Sequence, residues 1–239
     1  MPQSTPYTIP GFADPFSSLS HLGAAAVFAI LAVPLIRRGL GVAGGVSSRV
    51  RVWSLAVFAV SAVVLLTMSG VFHLLGHGGA ARGVVQRLDH AAIFLLIAGT
   101  FTPIHAIMCR GVMRWGILTC VWSIAVLGVT LKSIFFRSTP EWLGLSMYLG
   151  MGWIGAVSMV ALTRSHGFRF VLPLLGGGIA YTVGAVIDGI QLRPLVAGII
   201  RAHEIFHVAV IIGLSLHWWF AWRVAREIGP ATAAAPERQ

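Results

Sequence analysis

Seven long apolar blocks, separated by short arginine-bearing segments, dominate the pattern of hydrophobic and polar positions along the chain. An uninterrupted apolar stretch of about 18 residues is typical of a transmembrane helix. The predicted spans cover residues 16–36, 52–74, 90–109, 115–131, 142–163, 168–188 and 202–222. Little chain remains, so residues 1–239 are predicted to form a single membrane domain, an all-α seven-transmembrane helix bundle. Residues 1–15 are expected to be an extended lead-in and residues 227–239 a disordered tail.

The composition fits a membrane protein, because 57% of the residues are hydrophobic, 10% are charged and the mean hydropathy is +0.87. The net charge of +10 would suggest nucleic-acid binding in a soluble protein. Here the basic residues lie between the apolar blocks, where they set membrane topology and contact anionic lipid head groups. We therefore predict no nucleic-acid partner and a membrane lipid as substrate or ligand.

An odd number of spans places the two termini on opposite membrane faces. We call the face at which span one begins face A and the other face B. Eleven of the 17 lysines and arginines fall on face B and six on face A. Because basic residues are enriched in cytoplasmic loops, this bias predicts a cytoplasmic face B and an external N-terminus.

Polar residues inside the spans carry the functional argument, because an ionisable group in a membrane span is costly and is by default a functional-site candidate. His203 and His207 are four residues apart in HEIFHVAV, and Ser69 and His73 are four apart in SGVFH. Residues at this spacing share one helix face. Asp89 stands at the entrance of span three. The topology brings all five residues to one depth near face A.

Three neutral imidazoles with an open fourth position are the composition of a catalytic zinc site. The sequence therefore predicts a metal site near face A that includes His203 and His207. His73 is the third candidate ligand, and His77, one turn further on, is an alternative to it. His21 begins span one on the same face and is expected to lie beside the site.

Five other polar residues are predicted to have structural roles. His105 and His217 lie about 24 Å and 15 Å along their helices from the site, so both are expected to be hydrogen-bonded packing residues. His90 points about 100° away from Asp89 on an ideal helix. Glu204 is expected to stabilise a helix N-terminus, and Asp188 to be an interfacial residue on face B.

The motifs SGVFH, LDHAAIFLLIAGTFTP, YTVGAVID and HEIFHVAVIIGLSLHWWF resemble the haemolysin III family, the bacterial branch of the progestin and adiponectin receptor superfamily. SSLSHLGA and MYLGMGWIG extend the resemblance over nearly the whole chain. It implies a seven-helix protein of the bacterial cytoplasmic membrane with a zinc ion near one face. In the receptor branch the N-terminus and the zinc are cytoplasmic, which is opposite to the orientation that the arginine bias predicts here.

Carried over by motif, the resemblance implies His73, His203 and His207 as zinc ligands. Asp89 would hold the zinc-bound water, and Ser69 would lie beside it. The receptor relatives resemble lipid amidases of the ceramidase kind. We therefore expect a zinc-dependent intramembrane hydrolase of a lipid-like substrate, in which Asp89 accepts the proton of the water.

Two alternatives remain at this point. One is a non-enzymatic, receptor-like or lipid-homeostasis membrane protein, in which Asp89 or His77 completes a structural zinc site. The other is a pore-forming haemolysin, which is disfavoured because no span shows the regularly spaced polar face of an aqueous channel.

Overall fold

The computed structural model describes residues 12–191 and 201–228, and within these ranges the chain is helical with no strand. A single turn of 3₁₀ helix covers Phe136–Ser138. The predicted lead-in and tail lie largely outside the described residues. So do Arg193 and Arg238, two of the basic residues counted for the two membrane faces. The α-helices are α1 Pro15–Arg38, α2 Ser48–Leu74, α3 Ala80–Met108, α4 Gly111–Ser133, α5 Glu141–Trp153, α6 Gly155–His166, α7 Phe168–Gly189 and α8 Ala202–Val224.

Seven helical segments of the described chain are long and apolar enough to cross a membrane, as predicted. Six are single helices, and the fifth, Glu141–His166, consists of α5 and α6 together. The two helices are separated at Ile154, which is flanked by Gly152 and Gly155. Glycine is a poor helix former, and breaks in long helices often occur at such residues.

The largest difference from the predicted boundaries is at α3, which begins at Ala80 instead of residue 90. Its first turns contain Arg82 and Arg87, and both arginines are used structurally. Arg82 donates hydrogen bonds to the carbonyls of Phe72 and Leu75, and Arg87 donates one to Ser133 at 3.4 Å. The start of the apolar block at residue 90 therefore marks the edge of the apolar span, whereas the helix itself begins earlier, at Ala80.

The central apolar cluster is formed by α1, α2, α3 and α8. The rings of Phe28 and Phe58 lie 4.9 Å and 5.3 Å from that of Trp218 on α8. At face B, Arg38 and Arg51 donate to carbonyls at the C-terminal end of α8, Trp222 at 2.9 Å and Ala225 at 3.4 Å. Cations at a helix C-terminus satisfy its free carbonyls, so these contacts fix α8 against α1 and α2.

Close approach of α7 to α8 depends on a glycine. A β-carbon at Gly184 would lie 2.5 Å from the β-carbon of Ala209 on α8, whereas one at Gly178 would meet nothing within 4 Å. A β-carbon cannot rotate away, so a larger residue at Gly184 must separate the two helices. Small residues have this role widely in membrane helix pairs.

We predict that Gly184→Ala destabilises the protein by about 1–3 kcal/mol, the usual cost of overpacking. Gly178→Ala is the matched control on the same helix and should be neutral or slightly stabilising, because alanine is the better helix former. Thermal unfolding in detergent measures both variants. Equal melting temperatures would contradict the close packing at Gly184.

Candidate metal centre

Three histidines from the end of α2 and the start of α8 converge at face A. The Nε2 atom of His203 lies 3.2 Å from Nε2 of His73 and 3.0 Å from Nε2 of His207. One ligand atom from each of the three residues lies within 4.8 Å of the other two, which is a spacing that can hold a metal ion. His73 and His207 are buried and His203 is partly buried.

Two carboxylates orient two of these rings. Asp14 Oδ2 lies 3.1 Å from Nδ1 of His73, and Asp188 Oδ1 lies 3.2 Å from Nδ1 of His203. Because an ionised carboxylate only accepts hydrogen bonds, each Nδ1 must donate its proton. A carboxylate behind the ligating imidazole is the usual support of a metal-bound histidine, since it fixes the tautomer and the ring orientation.

The same contacts determine what the Nε2 atoms can do. A neutral imidazole carries one proton, so His73 and His203, with their protons on Nδ1, each present a lone pair at Nε2. These two nitrogens face each other at 3.2 Å. Two lone pairs at this distance repel unless a cation lies between them. The donor set therefore fits a bound metal ion.

His207 is held differently, by packing. Its Nδ1 is fully buried and has no hydrogen-bond partner in the described part of the chain. The ring of His21 lies against it with 3.9 Å between centroids, and Nε2 of His21 is 3.4 Å from the His207 carbonyl oxygen. His21 therefore lies beside the site, as expected from its position at the start of α1.

Asp14 joins four segments of the chain. Its carboxylate contacts Arg201 at 3.2 Å and Arg82 at 3.6 Å in addition to His73, and its backbone N–H donates to the His73 carbonyl at 3.0 Å. The hydrogen bond from His73, together with the charge of Arg201, lowers the pKa of Asp14 well below its usual range despite partial burial. The carboxylate is therefore ionised at neutral pH, as its supporting role requires.

Asp89 and Ser69 lie next to the histidines but outside the compact donor set. Asp89 is buried, its Oδ2 lies 3.7 Å from Nδ1 of His90, and its charge interacts with His203 and with the Ser69 hydroxyl. The structure thus brings His73, His203 and His207 together, and Asp89, which interacts with Ser69, lies within electrostatic range of His203. His77 is exposed in the connector between α2 and α3, and it is not part of the donor set.

Asp188 lies at face A, and its predicted position on face B is wrong. Span six runs from face B back to face A, so Asp188, at the end of α7, reaches His203. Asp14 was missed altogether, because it precedes the first apolar block in a segment treated as a lead-in. The signal that could have found both is an acidic residue at a face A helix end within reach of a ligand histidine.

Of the other predicted structural residues, His105, His217 and Glu204 have the expected roles. His105 bonds to the Ser158 hydroxyl at 2.7 Å, and His217 bonds to the Leu174 carbonyl at 3.1 Å. Glu204 accepts hydrogen bonds from the backbone and side chain of Arg201 at the start of α8. His90 bonds to the Gln86 carbonyl at 2.8 Å, but it was predicted to point away from Asp89 and its Nδ1 lies 3.7 Å from the Asp89 carboxylate.

The structure thus defines the class of the protein. It is a seven-helix integral membrane protein in which three imidazoles converge at one face. A family model described as "Haemolysin-III related" matches residues 12–218. The chain belongs to this haemolysin III family, within the progestin and adiponectin receptor superfamily.

Individual relatives agree with this assignment. Hemolysin-3 of Bacillus cereus is 34% identical over 163 residues, which cover 67% of this chain and 69% of that protein. The Hemolysin-3 homolog of Bacillus subtilis is 34% identical over 161 residues, covering 67% of this chain and 71% of the relative. Heptahelical transmembrane protein ADIPOR2 of Oryza sativa is 31% identical over 181 residues, covering 70% and 79%.

We predict that Asp14→Asn and Asp188→Asn each lower the affinity for zinc, used as the probe ion, by about 10-fold to 100-fold. Each amide removes the charge that polarises a ligand imidazole and can present its N–H₂ group to the ring. Competition with a chromogenic chelator measures the affinity. The control is Glu141→Gln, which neutralises a face A carboxylate that contacts none of the histidines.

Unfolding temperatures of the metal-free variants separate a loss of metal affinity from a loss of fold. If both aspartate variants bind zinc as tightly as the unmodified protein, the two carboxylates do not support the metal ligands.

Proposed function

We propose that the protein is a zinc-dependent hydrolase that acts within the bacterial cytoplasmic membrane on a lipid-like substrate, with lipid amides as the leading class. The observation that carries the proposal is the arrangement at face A. Three imidazoles converge, while a buried carboxylate, Asp89, lies beside them and outside the donor set. Three protein ligands with an open position are typical of catalytic zinc, whereas structural zinc sites are closed by four protein ligands.

The donor geometry supports zinc as the ion. Nitrogens 2.0–2.1 Å from a tetrahedral zinc are separated from each other by about 3.3 Å. The contacts of His203 with His73 and His207 are 3.2 Å and 3.0 Å. Imidazole ligands also suit copper, iron and nickel, so the identity of the ion is part of the proposal and is measured below.

Each polar residue of the centre then has one task. Zinc with an open position lowers the pKa of a bound water and polarises carbonyl groups. His73, His203 and His207 would hold the ion, and Asp14 and Asp188 keep two of these rings in the ligating tautomer. Asp89 would accept a proton and return it to the leaving group, while the Ser69 hydroxyl orients the Asp89 carboxylate.

The surroundings of the metal centre favour a lipid as the substrate. The centre lies between apolar helices near one membrane face, and the apolar cluster of α1, α2, α3 and α8 begins directly below it. An acyl chain can reach such a site from the bilayer, while the apolar walls exclude bulk water and strengthen electrostatic interactions at the reacting bond. An amide carbonyl close to the head group would then lie at the depth of Asp89.

We predict that purified protein contains about one zinc per chain, and that Asp89→Ala keeps the metal but hydrolyses a fluorescent ceramide at least 100-fold more slowly. The loss is the usual contribution of a general acid or base. Ser69→Ala should lose about tenfold, because only the orientation of Asp89 changes. Ser61→Ala is the matched control, a buried serine on α2 that bonds to the Phe58 carbonyl away from the centre. Metal content is measured by mass spectrometry.

The outcomes separate this proposal from its alternative. Loss of zinc from Asp89→Ala would make Asp89 a fourth ligand, close the site and favour a receptor-like protein with structural zinc. Retention of zinc in His73→Ala combined with His207→Ala would contradict the metal centre itself.

A further inference from the structure

A polar cavity opens at face A beside His90, and none of the three candidate ligand histidines lines it. Its volume is about 380 Å³. It lies where the start of α3, the end of α4 and the connector to α5 meet. The residues that matter to its chemistry are His90, Lys132, Phe136, Arg137 and Glu141.

Lys132 is the unusual residue of this cavity. It is only 4% exposed, although lysine is rarely buried without a partner. Within the described ranges it forms no hydrogen bond or ion pair; its Nζ atom lies 5.5 Å from the Phe136 ring centroid, and Glu141 influences it only at longer range. A buried ammonium without an anionic partner is costly, and an anion in the cavity would compensate that cost.

The neighbouring helix makes room for this ammonium. A β-carbon at Gly144 of α5 would lie 2.7 Å from Cε and 2.8 Å from Nζ of Lys132. The absence of a side chain at Gly144 therefore lets the ammonium lie against α5 at the cavity wall. This position is sterically sensitive and can be tested without changing any charge.

The charges that line the cavity favour an anion. Lys132 and Arg137 are cationic, Glu141 is the one acidic residue of the lining, and His90 uses Nδ1 to bond the Gln86 carbonyl. The balance is one excess positive charge. A site with this balance takes a monoanion such as a phosphodiester more readily than a neutral group.

The position of the cavity indicates where the anion comes from. The connector exposes large apolar side chains beside the opening, with Ile134 69%, Phe135 52% and Trp142 68% accessible. In a membrane protein such residues face lipid at the level of the head groups, where aromatic side chains are enriched. Basic pockets between transmembrane helices are known head-group sites.

We propose that the cavity around Lys132 binds the phosphate of an anionic lipid head group at face A, separately from the metal centre. Lys132 and Arg137 supply the charge, and the apolar connector residues contact the acyl chains. The bound lipid completes the electrostatic environment of the buried ammonium. The site requires no metal, so it does not depend on the hydrolase proposal.

The test is native mass spectrometry of the detergent-purified full chain with phosphatidylglycerol or phosphatidylcholine. The unmodified protein should bind phosphatidylglycerol in preference to phosphatidylcholine. Lys132→Met, which keeps the aliphatic packing, should weaken phosphatidylglycerol binding about tenfold, the usual effect of losing a charged hydrogen bond. Gly144→Ala should weaken it similarly by displacing the ammonium.

Three further variants test the direction of the charge effect, control for a change in surface charge, and separate this cavity from the metal centre. Glu141→Gln removes the competing carboxylate and should tighten phosphatidylglycerol binding several-fold. Arg164→Gln removes one exposed positive charge at the opposite face and should have no effect. His73→Ala with His207→Ala should bind the lipid normally, which separates this site from the metal centre. Unfolding temperatures identify any variant that fails to fold.

Competition with inorganic phosphate distinguishes a lipid head group from free phosphate as the source of the bound phosphate group. Phosphatidylglycerol binding that resists millimolar phosphate and requires Lys132 supports a lipid site. Displacement of the lipid by millimolar phosphate overturns the lipid assignment in favour of a soluble phosphate ligand. If Lys132→Met and Gly144→Ala bind as the unmodified protein does, or if Arg164→Gln loses as much as they do, the cavity is not a phosphate site.

Discussion

The cost of placing polar groups inside a membrane bundle governs where each of them lies in this protein. A buried polar group needs a partner, and most of the buried histidines find one. At face A the partners of two imidazoles are carboxylates, Asp14 and Asp188, and this choice leaves Nε2 lone pairs directed at each other. Deeper in the bundle His105 bonds to a carbonyl and a hydroxyl through its two ring nitrogens, and His217 bonds to a carbonyl through Nε2. The difference between a metal centre and a packing residue is thus a difference in partners.

Much of the architecture follows from hydrophobicity. The seven spans were predictable because each apolar block is long and charge-free, and the depth of His73, Asp89 and His203 followed from the alternation of the spans. The early start of α3 was not predictable in this way. Helical hydrogen bonding continues through Arg82 and Arg87, which leave the apolar layer but still find carbonyl partners. The division of the fifth span at Ile154 also gave no hydropathy signal.

The supporting residues of the metal centre were the harder part to predict. His203 and His207 share a helix face, so their spacing identifies them. Asp14 reaches His73 across 59 positions in sequence, through a segment with no periodicity of its own. Its role depends on the path of the chain ahead of α1, where its N–H bonds to the His73 carbonyl. The position of Asp188 at face A could have been predicted from the topology, because span six returns to that face. Lys132 directly follows the fourth predicted span, and only the cavity beside it and the space at Gly144 suggest a role.

The separation of the three histidines along the chain has a consequence for biosynthesis. His73 enters the membrane with the second span, whereas His203 and His207 belong to the last. Until that helix has been translated and inserted, His73 has neither imidazole partner, and Arg201 is not yet available to Asp14. The centre therefore forms only after α8 has been synthesised and inserted. Metal loading would then distinguish a chain that carries α8 from one truncated before it, and a nascent chain stalled before α8 would leave His73 and Asp14 without their partners on that helix.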